Sequence, residues 1–349
     1  MTRNILIKPA SGSCNLNCSY CFYRDEMNSR MSGAPGIMSF ETADTIISRT
    51  NKFFGPEDMI NYTFQGGEPL LAGKEFFRYF ARRIKERPLV GGLSVQTNGT
   101  LIDDEFCEIF SEYNFLVGVS IDGPEHIHDP LRSNSFADAM RGVELLRKHN
   151  VRFNILSVIT SKTDASELYA FYKENGFDFV QTIYCLDPLD GKKSDYSLDA
   201  KSFARFKKRL FNKWYADYEK EEDIYIREFT NLFLMIFDDE YEECGTAGFC
   251  SPQLVIEADG SCYPCDFYCL DRYKVGNIRD INIGDIENNS KYREFLSEEP
   301  PENKICRFCE VSEYCNGGCK RYRNLYNEID GYCPQREFLL HVLSKIKTD

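Results

Sequence analysis

Residues 13–23 read SCNLNCSYCFY, placing Cys14, Cys18 and Cys21 in one short loop near the start of a 349-residue chain. Three cysteines are wrong for a structural zinc site, which takes four ligands, and for disulfides, which take pairs. A [4Fe-4S] cube takes one thiolate per iron, so three thiolates leave one iron open to a ligand from outside the protein. An open iron can chelate the amino and carboxylate groups of S-adenosylmethionine. An electron from the cluster then cleaves the sulfonium to a 5'-deoxyadenosyl radical. The spacing Cys-x3-Cys-x2-Cys lets a single loop wrap the cube, with the aromatic Tyr20 and Tyr23 flanking the last ligand.

Outward from this loop the chain alternates short β-branched or aromatic runs with helix-like stretches. The runs are NILIKPA, INYTFQGG, LSVQTNG, FLVGVSIDG, FNILSVIT and FVQTIYCL. Such alternation predicts βαβ units, a parallel sheet and, with six repeats, a partial barrel of α/β class. Ligands in these folds bind at the C-terminal strand ends, where polar and glycine-containing signals stand: Gln65-Gly66-Gly67-Glu68, Gln96-Thr97-Asn98-Gly99 and Ser120-Ile121-Asp122-Gly123. Residues from about 200 to 240 read as helical; beyond them come short strands, turns and clustered cysteines. A boundary near Glu240 therefore divides a barrel at 1–240 from a cysteine-rich domain at 241–349. Within the latter, QLVIEADGSCYPCDFY reads as a hairpin with Asp259-Gly260 as a two-residue turn. His126 and His128 form an H-x-H in a polar loop and read as a solvated pair rather than ligands.

Composition narrows the function further. With 42% hydrophobic and 28% charged residues the chain can build a core. A formal charge of -13 argues against a nucleic-acid surface, which needs a basic stripe. The N-terminal MTRNILIKPA lacks an apolar secretory core, and the longest apolar run, LFLMIF at 232–237, is too short for a bilayer. The expected compartment is the cytoplasm, with no membrane partner. It is reducing, so 15 cysteines point to metal or catalysis rather than disulfides.

On the cysteine loop and the QGGEP segment, the sequence resembles the radical SAM superfamily. The resemblance implies that Gly66, Gly67 and Glu68 lie near the methionyl amino group of S-adenosylmethionine. It also implies that Ser120 and Arg141 contact its ribose and carboxylate, and it groups Tyr20 with the cofactor-binding positions. The cysteines of the last third resemble the SPASM extension with two auxiliary [4Fe-4S] clusters. By that resemblance Cys244, Cys250, Cys265 and Cys319 bind one cube, and Cys306, Cys309, Cys315 and Cys333 the other. Cys107, Cys185, Cys262 and Cys269 are left over; the first two read as small buried hydrophobes, and a swap of ligands within CYPCDFYC stays open. Zinc is the competing chemistry for this region, because Cys306-x2-Cys309 with Cys315-x3-Cys319 also suits a zinc ribbon.

Over nearly the whole length the chain is similar to the anaerobic sulfatase-maturating enzymes. IKPASGSCNLNCSYCFY, FQGGEPLLAG, QTNGTLID, FLVGVSIDGP, CLDPL and YPCDFYCLD carry that likeness in order. It implies conversion of a cysteine or serine of an unfolded sulfatase segment into Cα-formylglycine, with three [4Fe-4S] clusters. An electron donor such as flavodoxin or ferredoxin is the implied reductant. Asp266 takes the role of general base beside cluster ligand Cys265, and Tyr23 and Gln65 lie close to the target side chain. One alternative is a SPASM maturase of ribosomally made peptides, forming thioether or carbon-carbon crosslinks; such enzymes commonly carry a leader-binding domain before the first cluster, for which a first ligand at residue 14 leaves no room. Another is non-catalytic: an electron carrier or a zinc-stabilised interaction module.

Overall fold

The computed structural model describes residues 2–346 except 32, 34, 56, 87–89, 239, 252 and 299–303. In chain order its strands are β1 (Thr2–Lys8), β2 (Met59–Phe64), β3 (Val90–Thr97), β4 (Phe115–Ser120), β5 (Phe153–Ile159), β6 (Phe179–Tyr184), β7 (Tyr225–Ile226), β8 (Leu254–Glu257), β9 (Ser261–Tyr263) and β10 (Gly276–Asn277). The six runs expected to be strands form β1 to β6, with helices between them. The chain packs as two compact units. One comprises Met1–Ile121, Asp129–Asn154 and Pro252–Ser297, the other Asp122–His128, Ile155–Ser251 and Glu298–Asp349.

In the first unit the strand order is β10-β9-β8-β1-β2-β3-β4. β1 to β4 pair in parallel, and β8 pairs in parallel with the other edge of β1. Ile60, Tyr62 and Phe64 of β2 are buried, and the rings of Phe64, Phe76, Phe77, Phe80, Phe110 and Phe115 pack edge to face or tilted behind the sheet. Burying each such side chain contributes about 1.5–3 kcal/mol. Helices start where a capping residue satisfies the first free N–H: Ser39 accepts from Thr42 and Asp103 from Phe106. The parallel strands therefore end on one edge. Lys8, Gln65 and Asn98 stand at or just past the ends of β1, β2 and β3, and Ser120 closes β4.

The register of β8 sets Glu257 opposite Lys8. Its hairpin to β9 departs from the two-residue turn expected. Glu257 O accepts from Gly260 N at 2.8 Å, and Gly260 takes φ +85°. The loop is thus three residues, a turn over Ala258-Asp259 closed by a left-handed glycine, the type I turn plus glycine bulge that is the next most common hairpin connection.

In the second unit β5, β6 and β7 run parallel. Helices Ala200–Tyr218, Arg227–Phe237 and Pro334–Ile346 bury Phe211, Trp214, Phe229 and Phe338 among themselves. The expectation of a solvated His126/His128 pair fails for His128. It lies in helix Glu125–Leu131, fully buried, and its Nδ1 accepts from Asp122 N at 3.3 Å. His126 is the exposed one, paired with Glu167 at 3.2 Å. Among the described residues, no helix is long and apolar enough to cross a membrane.

Candidate active site

Three segments far apart in sequence meet at Asp266. It opens the 3-10 turn Asp266–Tyr268 after the hairpin, and its Oδ2 accepts from the Tyr23 hydroxyl at 2.6 Å and from Gln65 Nε2 at 2.5 Å. Gln65 also donates to the Tyr23 oxygen at 2.8 Å. Burial, reinforced by the charge of Asp266, raises Tyr23 well above its ordinary range, so the phenol stays a donor. Behind this trio lies a charge cluster that the sequence reading did not anticipate. The Lys8 ammonium, fully buried, stands 3.0 Å from Asp266 Oδ1, 3.7 Å from Glu26 and 3.8 Å from Glu257, donates to Cys269 Sγ at 3.2 Å, and lies 4.3 Å above the Tyr23 ring. Arg30 pairs with Glu257 at 2.8 Å and donates to the Cys269 carbonyl. Burial pulls the Lys8 ammonium down, but Asp266, Cys269, Glu26 and Glu257 outweigh it and hold it well above its ordinary value. Two cations face three carboxylates; Glu26 is pushed up to about 7, chiefly by burial, against the pull of Lys8.

The cysteine loop is fixed to the end of β2 by main-chain bonds. Gly67 N donates to Ser11 O at 2.7 Å and Glu68 N to Ser13 O at 2.8 Å. The approach is so close that a Cβ on Gly67 falls 2.1 Å from Ser13 O, and one on Gly66 falls 2.6 Å from Ser11 O. Glu68 is fully buried, with Oε1 accepting from Leu70 N and Thr97 Oγ1 and Oε2 from Asn98 N. Burial raises its carboxyl, against these donors. Leu16 N and Asn98 Nδ2 point at Cys14 Sγ from 3.4 and 3.8 Å, an environment that suits a ligating thiolate. Tyr20 accepts from Arg132 at 2.9 Å, and Ser120 Oγ accepts from Gln96 at 3.0 Å. Arg141 stands apart from these, donating to the Thr100 and Ile102 carbonyls and pairing with Asp138.

Residues 9–174 match the radical SAM superfamily model, and residues 248–310 match SPASM, an iron-sulfur cluster-binding domain. A cysteine-type anaerobic sulfatase-maturating enzyme of Clostridium perfringens (strain 13 / Type A) is 38% identical over 98% of this chain and 97% of its own. A serine-type enzyme of Bacteroides thetaiotaomicron is 28% identical over 91% of this chain and 83% of its own. The solved structure of native anSMEcpe with bound AdoMet and the Kp18Cys peptide matches with a TM-score of 0.90 and 36% identity, covering 100% of this chain and 99% of that one. The chain belongs to the anaerobic sulfatase-maturating enzymes. It is thus a radical SAM oxidoreductase that makes formylglycine, with [4Fe-4S] clusters and S-adenosylmethionine as cofactors.

The cysteines fit clusters of this kind. In the second unit burial pushes Cys319 up to about 11, with the neighbouring Cys244 and Cys250 thiols adding to the rise. Cys315 is likewise pushed up to about 11 by burial, with Cys333 and Cys306 beside it, and Cys333 also feels Cys309. A ligating cysteine is a thiolate, so binding iron at these positions releases their protons. Arg323 ties the loops together, donating to the Gly317, Gly318 and Gly248 carbonyls. Cys265 caps the turn that carries Asp266 in the first unit. The four cysteines outside the family's ligand sets, Cys107, Cys185, Cys262 and Cys269, are all buried, while of the eleven inside them only Cys18 is. Lys8, Glu26, Arg30 and Glu257 were the residues the sequence reading missed; a lysine ending the apolar run NILIK, where the strand reaches the site, was the one available signal.

Proposed function

We propose that this enzyme converts a cysteine of a sulfatase's active-site segment, held as an unfolded polypeptide, into Cα-formylglycine, with Asp266 as the base. What supports the reading is the meeting of Asp266, Tyr23 and Gln65 from three separate segments at the edge where the parallel strands end. Cysteine is preferred because the cysteine-type relative is 38% identical and the serine-type one 28%. When bound, S-adenosylmethionine and its cluster supply the acceptor for a hydrogen atom from the substrate Cβ. The chain's own part is the proton: Asp266 takes it from the thiol, while Tyr23 and Gln65 hold the carboxylate in line. Loss of a hydrogen atom, of a proton to Asp266 and of one further electron, which the auxiliary cluster held by Cys265 would accept, leaves a thioaldehyde, which water hydrolyses to the aldehyde and hydrogen sulfide.

Cys14, Cys18 and Cys21 hold the first cluster, with Gly66, Gly67, Glu68, Tyr20, Ser120 and Arg141 toward S-adenosylmethionine; the auxiliary ligands stand as the resemblance gives them. A small redox protein such as flavodoxin or ferredoxin supplies electrons, in the cytoplasm, where thiols stay reduced. The domain division at about residue 240 belongs to the same reading.

The test is an anaerobic reaction with paired peptides bearing Cys-x-Pro-x-Arg and Ser-x-Pro-x-Arg, following peptide mass and 5'-deoxyadenosine together. The expected result is aldehyde from the cysteine peptide with matching 5'-deoxyadenosine. 5'-Deoxyadenosine without peptide change overturns the substrate assignment; a crosslinked peptide replaces it with peptide maturation.

A further inference from the structure

We propose that Lys8 is a positioning residue for the reaction, setting the direction in which Asp266 presents its proton-accepting oxygen; the inference rests on Asp266 being the base. Asp266 stands on a turn of three residues that has no side-chain cap, so the backbone does little to fix its carboxylate. Tyr23 and Gln65 both grip Oδ2. Two donors place Oδ2, but the Cβ–Cγ torsion of aspartate is broad and soft, and both holds fall on the same oxygen. Orientation needs a second point, and Lys8 at 3.0 Å from Oδ1 supplies it. Among the described residues no group donates an aligned hydrogen bond to that buried Oδ1. That atom is enclosed, and the ammonium holds it in place by charge, which fixes the plane of the carboxylate and with it the direction of Oδ2.

Lys8 is itself rigidly seated. It is fully buried at the end of β1, with Cys269 Sγ at 3.2 Å and the Tyr23 ring beneath it. Its other carboxylate neighbours, Glu26 and Glu257, lie at 3.7 and 3.8 Å, so its closest charged contact is the base. The competing role is plain charge balance for Glu26 and Glu257 in the core, and a double variant separates the two. Lys8→Met removes the cation at similar volume but leaves surplus negative charge. Lys8→Met/Glu26→Gln removes one cation and one carboxylate together and restores the formal balance.

The experiment compares wild type, Lys8→Met, Lys8→Met/Glu26→Gln and Lys8→Arg as reconstituted holoenzymes. It measures melting temperature, kcat and KM for the cysteine peptide, and 5'-deoxyadenosine formed per aldehyde. The double variant is expected to melt close to wild type yet lose about a hundredfold in kcat with KM held within about twofold, the signature of a displaced reacting group. More 5'-deoxyadenosine per aldehyde and partial recovery of kcat in Lys8→Arg complete the expected pattern. Full kcat in the double variant overturns the proposal and leaves Lys8 as a charge-balancing residue, as does a rise in KM at unchanged kcat. No aldehyde from wild type sinks the assigned reaction instead, and with it the premise.

Discussion

Asp266→Asn keeps the size of the side chain but exchanges one oxygen for an amide NH2 and removes its ability to take a proton. General-base assistance is worth about 10²–10⁴-fold, so aldehyde formation is expected to fall by at least about a hundredfold while 5'-deoxyadenosine formation continues. Mass spectrometry of peptide and nucleoside in one reaction checks both halves; equal loss of the two assigns Asp266 to cofactor binding instead. Glu26 gives a second residue-scale expectation. Its folded value of about 7 lies above the ordinary carboxylic range because it is buried. The folded chain therefore keeps a proton that the unfolded chain releases, and the stability this confers is present at low pH and lost as pH rises through the folded value. Glu26→Gln cannot titrate, so its melting temperature is expected to gain on wild type between about pH 5 and about pH 8. A constant difference across that range contradicts the assignment.

At the scale of elements, the strands were legible and the ties between them were not. Alternating runs such as INYTF announced β1 to β6, because burial on a sheet face writes its period into the sequence. Lys8 facing Glu257 and Asp266 depends on the parallel register of β1 with β8, a pairing across some 250 residues that no local pattern encodes. Asp266, Tyr23 and Gln65 were found through family likeness, since each alone is an ordinary polar residue. Spacing made the cysteines visible and family likeness grouped Cys244 and Cys250 with Cys319; in the fold the three thiols are neighbours. The double glycine read as a turn or cofactor contact; the structure adds a close main-chain crossing. Gly67→Ala sets a methyl group against the Ser13 carbonyl. It is expected to destabilise the protein by about 1–3 kcal/mol as overpacking does, and to lower iron bound at the first cluster more than at the others, measured by iron analysis after anaerobic reconstitution.

For the whole molecule, eleven proposed ligands serve three cubes, so reconstituted enzyme is expected to carry about twelve irons per chain. Cys14→Ala is expected to keep about eight, and to lose 5'-deoxyadenosine formation entirely. Retention of that product contradicts the assignment of the loop at residues 14–21. Three cubes, one with an iron open to outside ligands, also make the enzyme sensitive to air. Exposure is expected to bleach the visible absorbance and abolish turnover together; an enzyme that keeps its activity after its iron is lost does not fit.

The contrast in burial among the fifteen thiols turns into a labelling clock. An alkylating reagent reaches only a sulfur that is both accessible and ionised, so Cys107, Cys262 and Cys269, each fully enclosed and pushed upward by burial, react only when the chain opens. In the iron-free protein the more exposed thiols, led by Cys14 and Cys306, are modified first. In the loaded protein those same sulfurs are shielded by iron, and the early phase of modification disappears. Timed alkylation with and without iron thus sorts structural from ligating cysteines on one gel-free peptide map, without a single substitution.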